Sequence, residues 1–128
     1  MSNLYIIRGI PGSGKTTLAG KMKKAGMVDF VFEADAFMTD DKGQYLFDSS
    51  RLKYCHGKCR EVTDSAIEMG LNIAVSNTFT RKWEMQPYID MAKKHSAKIT
   101  IIVCQGEYKN VHGVPDEKIQ EMKRRFEY

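Results

Sequence analysis

The chain has 128 residues, of which 42% are hydrophobic, and it carries a net charge of +4. This length is typical of one domain with a single core, so we expect one domain over residues 1–128. Three cysteines form no disulfide framework, and no run reaches the roughly 20 apolar residues that a membrane span needs. The first apolar run, 4–7, is too short for a signal peptide, so we expect a cytoplasmic protein without membrane attachment.

Short apolar strands alternate with helical patterns, which is typical of a parallel α/β sheet. The predicted strands are 4–7, 30–32, 73–75 and 99–103, and the predicted helices are 15–24, 49–69, 80–94 and a last one from Pro115. In the second helix, which Ser49 or Ser50 can cap, apolar residues recur at spacings of three and four. They are Leu52, Cys55, Cys59, Val62, Ala66 and Met69. The predicted core stripe of the last helix is Ile119, Met122 and Phe126.

The first strand leads directly into a glycine-rich loop, Gly9–Thr16, which matches the phosphate-loop pattern G-x-x-x-x-G-K-[ST] at every fixed position. Without a Cβ, Gly12 and Gly14 let the backbone curl and aim its N–H groups at phosphate oxygens. The helix that follows adds the positive end of its dipole. Lys15 then places a cation on the β- and γ-phosphates, and the Thr16 hydroxyl can ligate Mg²⁺. The residues predicted to bind ATP or GTP are Gly9, Pro11, Gly12, Ser13, Gly14, Lys15, Thr16 and Thr17.

A carboxylate follows the second strand. Ligands of open α/β sheets bind beyond the carboxyl ends of the strands, so we expect Asp35 to face the same crevice as Lys15. A carboxylate there can accept the proton of an attacking hydroxyl, as a general base does in phosphoryl transfer. The spacing allows a second interpretation equally well, in which Asp35 only caps a short helical turn over 36–38.

Other residues could also carry chemistry. Cys55, His56 and Cys59 have the side chains of a metal site, but the two cysteines lie on the apolar stripe and are better explained as core residues. Arg81 follows the third strand on the expected catalytic edge, where it could bind an anionic acceptor or simply be solvated. His112 lies in a glycine-bearing loop and could contact phosphate or be a structural turn residue.

The strand, the GxPGSGK[ST]T loop, the helix and the aspartate after the second strand resemble the kinase domain of bacteriophage 5′-polynucleotide kinases. The chain is most similar to a branch of that group found in phage proteins and in a eukaryotic ubiquitin-ligase-binding protein. The resemblance covers nearly the whole chain, and its most specific stretches are Trp-Glu-Met-x-Pro-Tyr at 83–88 and Asn-x-His-Gly-Val-Pro at 110–115. Its other stretches are 44–48, Leu52, His56, Cys59, 77–80, Met122 and 125–127.

This resemblance implies a nucleotide-binding kinase. It implies that Lys15 and Thr16 handle the nucleotide and Mg²⁺, and that Asp35 is the general base. It also implies an acceptor pocket and a lid over the phosphates. The residues of the pocket are Asn77 and Thr78, and those of the lid run from Lys109 to His112.

Three positions depart from the family pattern. Met38 stands where the polynucleotide kinases carry an arginine that helps to hold the acceptor. Ser76 stands where the closest branch usually has an aspartate, which removes a carboxylate from the neighbourhood of the metal. Lys109 stands where an arginine is expected, and a lysine cannot make the planar two-pronged contact of a guanidinium.

We therefore expect a three-layer P-loop NTPase fold with a parallel sheet in the order 2-3-1-4 and helices on both faces. The leading hypothesis for function is transfer of the γ-phosphate of ATP or GTP, with Mg²⁺, to the 5′-hydroxyl of a nucleic acid. Arg81 and Lys109 would offset charge on the transferring group. Two alternatives stay open: a nucleoside or sugar kinase, favoured by Met38, and a non-catalytic nucleotide-binding interaction module, allowed by Ser76 and the short lid. If the chain is phage-encoded, we expect it in the host cytoplasm.

Overall fold

Four parallel strands form the centre of the molecule. A computed structural model describes residues 2–40, 42–108 and 114–128. The strands are β1 (Asn3–Arg8), β2 (Phe30–Phe32), β3 (Ile73–Asn77) and β4 (Lys98–Val103), and they are hydrogen-bonded in the order β2-β3-β1-β4. The inner strands β1 and β3 are the more deeply buried, as is typical of apolar strands covered on both faces. The predicted order 2-3-1-4 is confirmed.

Four α-helices and three short 3₁₀ turns connect the strands in the part of the chain that the structure describes. The helices are α1 (Lys15–Lys24), α2 (Leu52–Glu68), α3 (Gln86–Lys94) and α4 (Asp116–Arg125), and the turns are Ala34–Phe37, Ser49–Arg51 and Lys82–Met85. Among the residues that the structure describes, no helix is long and apolar enough to cross a membrane.

Two predicted helix starts are wrong. The side chain of Asp48, and not that of Ser49 or Ser50, accepts the free backbone N–H of Ser50, and α2 begins only after the 3₁₀ turn. The helix predicted from residue 80 begins instead with the 3₁₀ turn Lys82–Met85, and α3 follows with Pro87 in its first turn. Proline fits there because the first N–H groups of a helix have no partner within the helix.

Two apolar layers lie on opposite faces of the sheet, which confirms the predicted three-layer architecture. On one face, β1 and β3 pack against α2 and α3; this layer includes Leu4, Ile6, Cys55, Cys59, Val75, Tyr88 and Met91. On the other face, the sheet packs against α1; this layer includes Ile7, Ala19, Met22, Val28 and Ala74.

The predicted core stripe of α2 is correct at Cys55, Cys59 and Ala66, only half-buried at Val62, and wrong at its ends. Leu52 is 37% exposed and Met69 is 75% exposed, because both lie at the ends of the helix. Thr63 and Ile67 are buried instead, and the Thr63 hydroxyl donates to the Cys59 carbonyl at 2.7 Å, which makes its burial possible. The stripe predicted for α4 is only half-buried.

Candidate functional site

The loop between β1 and α1 has the backbone shape that its sequence predicts. Gly12 and Gly14 have φ angles of 82° and 98°, in the left-handed region that favours glycine. Gly14 precedes α1 and has no side chain to cap it, so the N–H groups of the first turn remain available to an anion. The geometry is that of a phosphate-binding loop.

The Lys15 side chain folds back onto this loop. Its Nζ donates to the Ile10 carbonyl oxygen at 3.1 Å. Burial lowers the pKa of Lys15, while the negative charges of Glu33 and then Asp35 oppose this lowering. The phosphate loop follows β1, and Glu33 and Asp35 follow β2; because both strands are parallel members of one sheet, the loop and the two acidic residues lie at its carboxyl edge.

A second carboxylate at this edge was missed by the sequence reasoning. Glu33 follows β2 directly, and its Oε1 accepts a hydrogen bond from the Thr16 hydroxyl at 3.4 Å. The only signal in the sequence was its position two residues before Asp35. Thr17, the next predicted nucleotide-binding residue, is exposed on the first turn of α1.

Asp35 is an exposed residue of the 3₁₀ turn Ala34–Phe37. Glu33 occupies the cap position of this turn, and Asp35 is its second residue, so the alternative in which Asp35 caps the turn is wrong. Within the described residues its carboxylate accepts no hydrogen bond, which leaves it free to face a substrate.

The two residues predicted to line the acceptor pocket hold neighbouring backbone. Asn77 is buried, and its Oδ1 accepts the Ala34 N–H at 2.8 Å, so its side chain fixes the turn that carries Asp35. The Thr78 carbonyl accepts the Gly9 N–H at 3.2 Å, which joins the end of β3 to the phosphate loop.

Arg81 and Lys109 were the residues predicted to offset charge on the transferring group. Arg81 is exposed, and its Nη1 lies 3.8 Å from a carboxylate oxygen of Glu127, so its charge is partly matched within the protein. Lys109 and His112 lie outside the described residues.

Of the three positions that depart from the family pattern, the two that the structure describes are buried. Met38 is fully buried, and its Sδ accepts a weak hydrogen bond from the Cys55 thiol at 3.9 Å. Ser76 is 3% exposed, and its Oγ has no hydrogen-bond partner among the described residues. Side chains alternate along a strand, and Ala74 packs in the layer that contains α1, so Ser76 also faces α1.

The cysteines of α2 are core residues, as we predicted. Cys55 and Cys59 are fully buried, and burial raises the pKa of both thiols. The described residues contain no cluster of three or more side chains that could hold a metal through histidine, cysteine or carboxylate ligands.

The segment after β4 crosses the phosphate loop. The N–H groups of Gly106 and Tyr108 donate to the carbonyls of Ser13 and Gly12, at 3.1 and 2.8 Å. Beside this crossing lies a cavity of about 300 Å³. It is lined by Ile10, Val103, Cys104, Gln105, Gly106, Glu107, Lys123, Phe126 and Tyr128.

A buried arginine connects this cavity to the end of β3. Arg8 donates from Nε and Nη2 to the Phe79 carbonyl at 3.0 and 2.6 Å, and from Nη2 to the Glu127 carbonyl at 2.5 Å. Its guanidinium carbon lies 4.3 Å from the centre of the Phe126 ring. Arg8 thus binds the C-terminal residues that form one wall of the cavity, a role that its sequence position did not indicate.

Comparisons with known proteins agree with this geometry. A family model described as AAA domain matches residues 4–128. Human NEDD4-binding protein 2 is 30% identical over 134 aligned residues, which cover 97% of this chain and 8% of that protein. A structure of a Pnkp1/Rnl/Hen1 complex has a TM-score of 0.66 at 18% identity, covering 94% of this chain and 38% of that one. A gluconokinase from Sinorhizobium meliloti 1021 has a TM-score of 0.63 at 14% identity, covering 98% and 75%.

Proposed function

This chain belongs to the AAA domain family and has the P-loop kinase fold that its resemblance implied, and from this premise we propose that it is an ATP-dependent phosphotransferase. The proposed reaction transfers the γ-phosphate to a hydroxyl, and the leading acceptor is the 5′-hydroxyl of a nucleic acid. One observation carries the proposal: a complete phosphate loop after β1 and the exposed residue Asp35 after β2 lie at the same edge of the parallel sheet. That pairing supplies both a phosphate site and a proton acceptor.

The proposed mechanism assigns the phosphates to the loop. The N–H groups of the first turn of α1 and the ammonium of Lys15 bind the phosphate oxygens and offset the charge that develops on them. Binding of phosphate replaces the weak contact between Lys15 and the Ile10 carbonyl. Asp35 accepts the proton of the acceptor hydroxyl as that oxygen attacks phosphorus. Mg²⁺, when bound, neutralises charge on the β- and γ-phosphates, and Thr16 is a residue that would hold it.

The cavity beside the loop has the size and position for the rest of the nucleotide. It opens next to Ile10 of the phosphate loop, and Phe126 and Tyr128 provide aromatic surface within its lining. Aromatic rings are suited to a planar base, and Gln105 offers hydrogen-bonding groups to its edge. Adenine and guanine both fit this description, so ATP and GTP are both candidates.

An aromatic surface near Asp35 favours an acceptor that carries a base. Tyr45, Phe47 and Tyr54 are each more than half exposed. Two backbone hydrogen bonds connect the segment around Tyr45 and Phe47 to the turn that carries Asp35. The Met38 N–H donates to the Asp35 carbonyl, and the Leu46 N–H donates to the Met38 carbonyl. Exposed aromatic rings bind the bases of single-stranded nucleic acids by stacking. The same surface has little use in a kinase for a simple sugar.

One observation favours a second candidate, a small-molecule kinase. Met38, which stands where a polynucleotide kinase would have an acceptor-binding arginine, is fully buried and packed against Cys55. The site therefore lacks a cation at that position to hold the phosphate backbone of a nucleic acid. The likeness to a gluconokinase supports the fold of this alternative but not its substrate.

Transfer of label from γ-labelled ATP to a panel of acceptors tests the proposal. The panel contains a single-stranded DNA and an RNA with free 5′-hydroxyls, the same strands with 5′-phosphates, nucleosides and sugars. We expect label on the 5′-hydroxyl strands and none on the 5′-phosphorylated controls. Label on a nucleoside or sugar alone would favour the second candidate. No transfer with intact ATP binding would indicate a non-catalytic interaction module.

A further inference from the structure

Glu33 lies beside the residue that is expected to hold the metal. Its Oε1 is 3.4 Å from the Thr16 Oγ1. Carboxylate and hydroxyl oxygens are the protein ligands that Mg²⁺ and Mn²⁺ accept, with water and phosphate oxygens completing the shell. Thr16 lies in the first turn of α1, and Glu33 follows β2 directly.

Ser76 on the neighbouring strand β3 independently indicates that a polar ligand binds at this edge of the sheet. Ser76 is nine-tenths buried or more, faces α1, and leaves its Oγ without a partner among the described residues. A buried hydroxyl without a hydrogen bond costs about 1–3 kcal/mol, so such a group is expected to meet a ligand or an ordered water. A cation with its coordinated water at the start of α1 would satisfy it. Ser76 cannot, however, supply negative charge.

We propose that Glu33, with the Thr16 hydroxyl, holds the divalent cation that accompanies the nucleotide, and that Glu33 supplies the charge which Ser76 at the end of β3 does not. This inference rests on the proposed nucleotide-binding function. It separates the roles of the two carboxylates: Glu33, which the Thr16 hydroxyl contacts, serves the cation, and the exposed Asp35 remains available to the acceptor hydroxyl. The ligand class is a hard divalent ion such as Mg²⁺ or Mn²⁺.

The effect of the Glu33 charge on nucleotide binding should change sign when a cation is present. Without a cation, the negative charge of Glu33 repels the phosphates of a nucleotide bound at the loop. With a cation, the same charge attracts the ion and therefore the nucleotide. Removing the charge in Glu33→Gln should leave metal-free nucleotide binding unchanged or stronger, and should weaken only the cation-dependent part. A residue that merely supports the fold would weaken both.

Calorimetric titration with ADP, in excess EDTA and in excess MnCl₂, measures both parts without turnover. In the wild type we expect Mn²⁺ to strengthen ADP binding. In Glu33→Gln we expect this enhancement to fall by about 10- to 100-fold, and the paramagnetic resonance signal of bound Mn²⁺ to fall with it. Glu68→Gln, an exposed glutamate at the end of α2, is the matched control and should behave as the wild type.

A double variant, Glu33→Ser with Ser76→Asp, moves the carboxylate from one strand end to the other. Circular dichroism establishes that it folds, and we expect it to recover Mn²⁺-dependent ADP binding relative to Glu33→Ser. An unchanged Mn²⁺ enhancement in Glu33→Gln, or equal weakening with and without Mn²⁺, would overturn the inference while nucleotide binding stands. A wild type that does not bind ADP would overturn both this inference and the proposed function. ADP binding without phosphoryl transfer would overturn the transferase function alone.

Discussion

At the scale of single residues, the Lys15 ammonium donates a hydrogen bond to the Ile10 carbonyl, and we propose that it binds the nucleotide phosphates. We expect Lys15→Ala to weaken ATP binding by roughly 100-fold, since a charge-assisted hydrogen bond contributes about 1.5–3 kcal/mol. The fold should be as stable as the wild type or more so, because burial disfavours the charged form of this lysine. Calorimetry and thermal unfolding without nucleotide measure the two effects, and an unchanged ATP affinity would contradict the phosphate-loop assignment.

The same lysine gives ATP binding a pH dependence. The lowered pKa means that Lys15 loses its proton below the pH at which an ordinary lysine does. Because only the protonated form attracts phosphate, affinity should decrease as the pH rises through that lowered pKa. Lys15→Ala, which has no such group, should show no decrease over the same range.

The variant Asp35→Asn tests whether the protein is a kinase or a non-catalytic binding module. Asp35→Asn keeps the size of the side chain and removes the proton acceptor, so phosphoryl transfer should fall by roughly 10²–10⁴. ATP affinity should stay within a few-fold of the wild type, because Lys15 and the loop amides are untouched. Turnover and calorimetry are to be measured on the same preparation. Equal losses in both would assign Asp35 to the cation instead, and an unaffected turnover would remove it from the mechanism.

At the scale of elements, α2 depends on buried cysteines. Cys59 is fully buried, and the Asn77 Nδ2 donates to its Sγ at 3.8 Å, so it also supports the amide that fixes the Asp35 turn. Cys59→Ser should lower the free energy of unfolding by about 1–3 kcal/mol, since it places a hydroxyl in an apolar layer. Cys104→Ser, at a half-buried position, should cost less. Urea unfolding tests the difference, and stoichiometric zinc by elemental analysis would refute the core interpretation.

At the scale of the whole molecule, Arg8 joins the strand before the phosphate loop to the turn after β3 and to the C-terminal residues. Arg8→Met should lower the free energy of unfolding by about 3–5 kcal/mol, because two carbonyls lose a buried charged donor. ATP affinity should fall as well, since Phe126 and Tyr128 line the proposed nucleotide cavity.

Arg124→Met is the control for Arg8→Met, since Arg124 is an exposed arginine of α4. It should change neither urea unfolding nor ATP binding. A fully stable Arg8→Met variant would show that the C-terminal residues are held in place without this side chain.

The sequence by itself determined the features that depend on short stretches of chain. The phosphate loop is one of these, because its shape follows from glycines and a helix start within eight residues. The strands and the predicted strand order, which is confirmed, followed from apolar runs alternating with helical patterns. The burial of Cys55 and Cys59 followed from helical periodicity. Helix starts were less well predicted, because several nearby residues could each provide the cap.

Only the tertiary structure decided which distant groups meet at the sheet edge. Glu33 contacts Thr16 across 17 positions, Asn77 fixes the Asp35 turn across 43, and Arg8 binds Glu127 across 119. Such contacts depend on strand register and on the packing of both helical layers, which no local pattern specifies. For the same reason the sequence indicated only that Ser76 replaces an expected carboxylate. The fold places Glu33 at the end of β2, the strand that pairs with β3 and its residue Ser76. The phosphate site is thus a local property of the chain, and the arrangement of charges around it is a property of the fold.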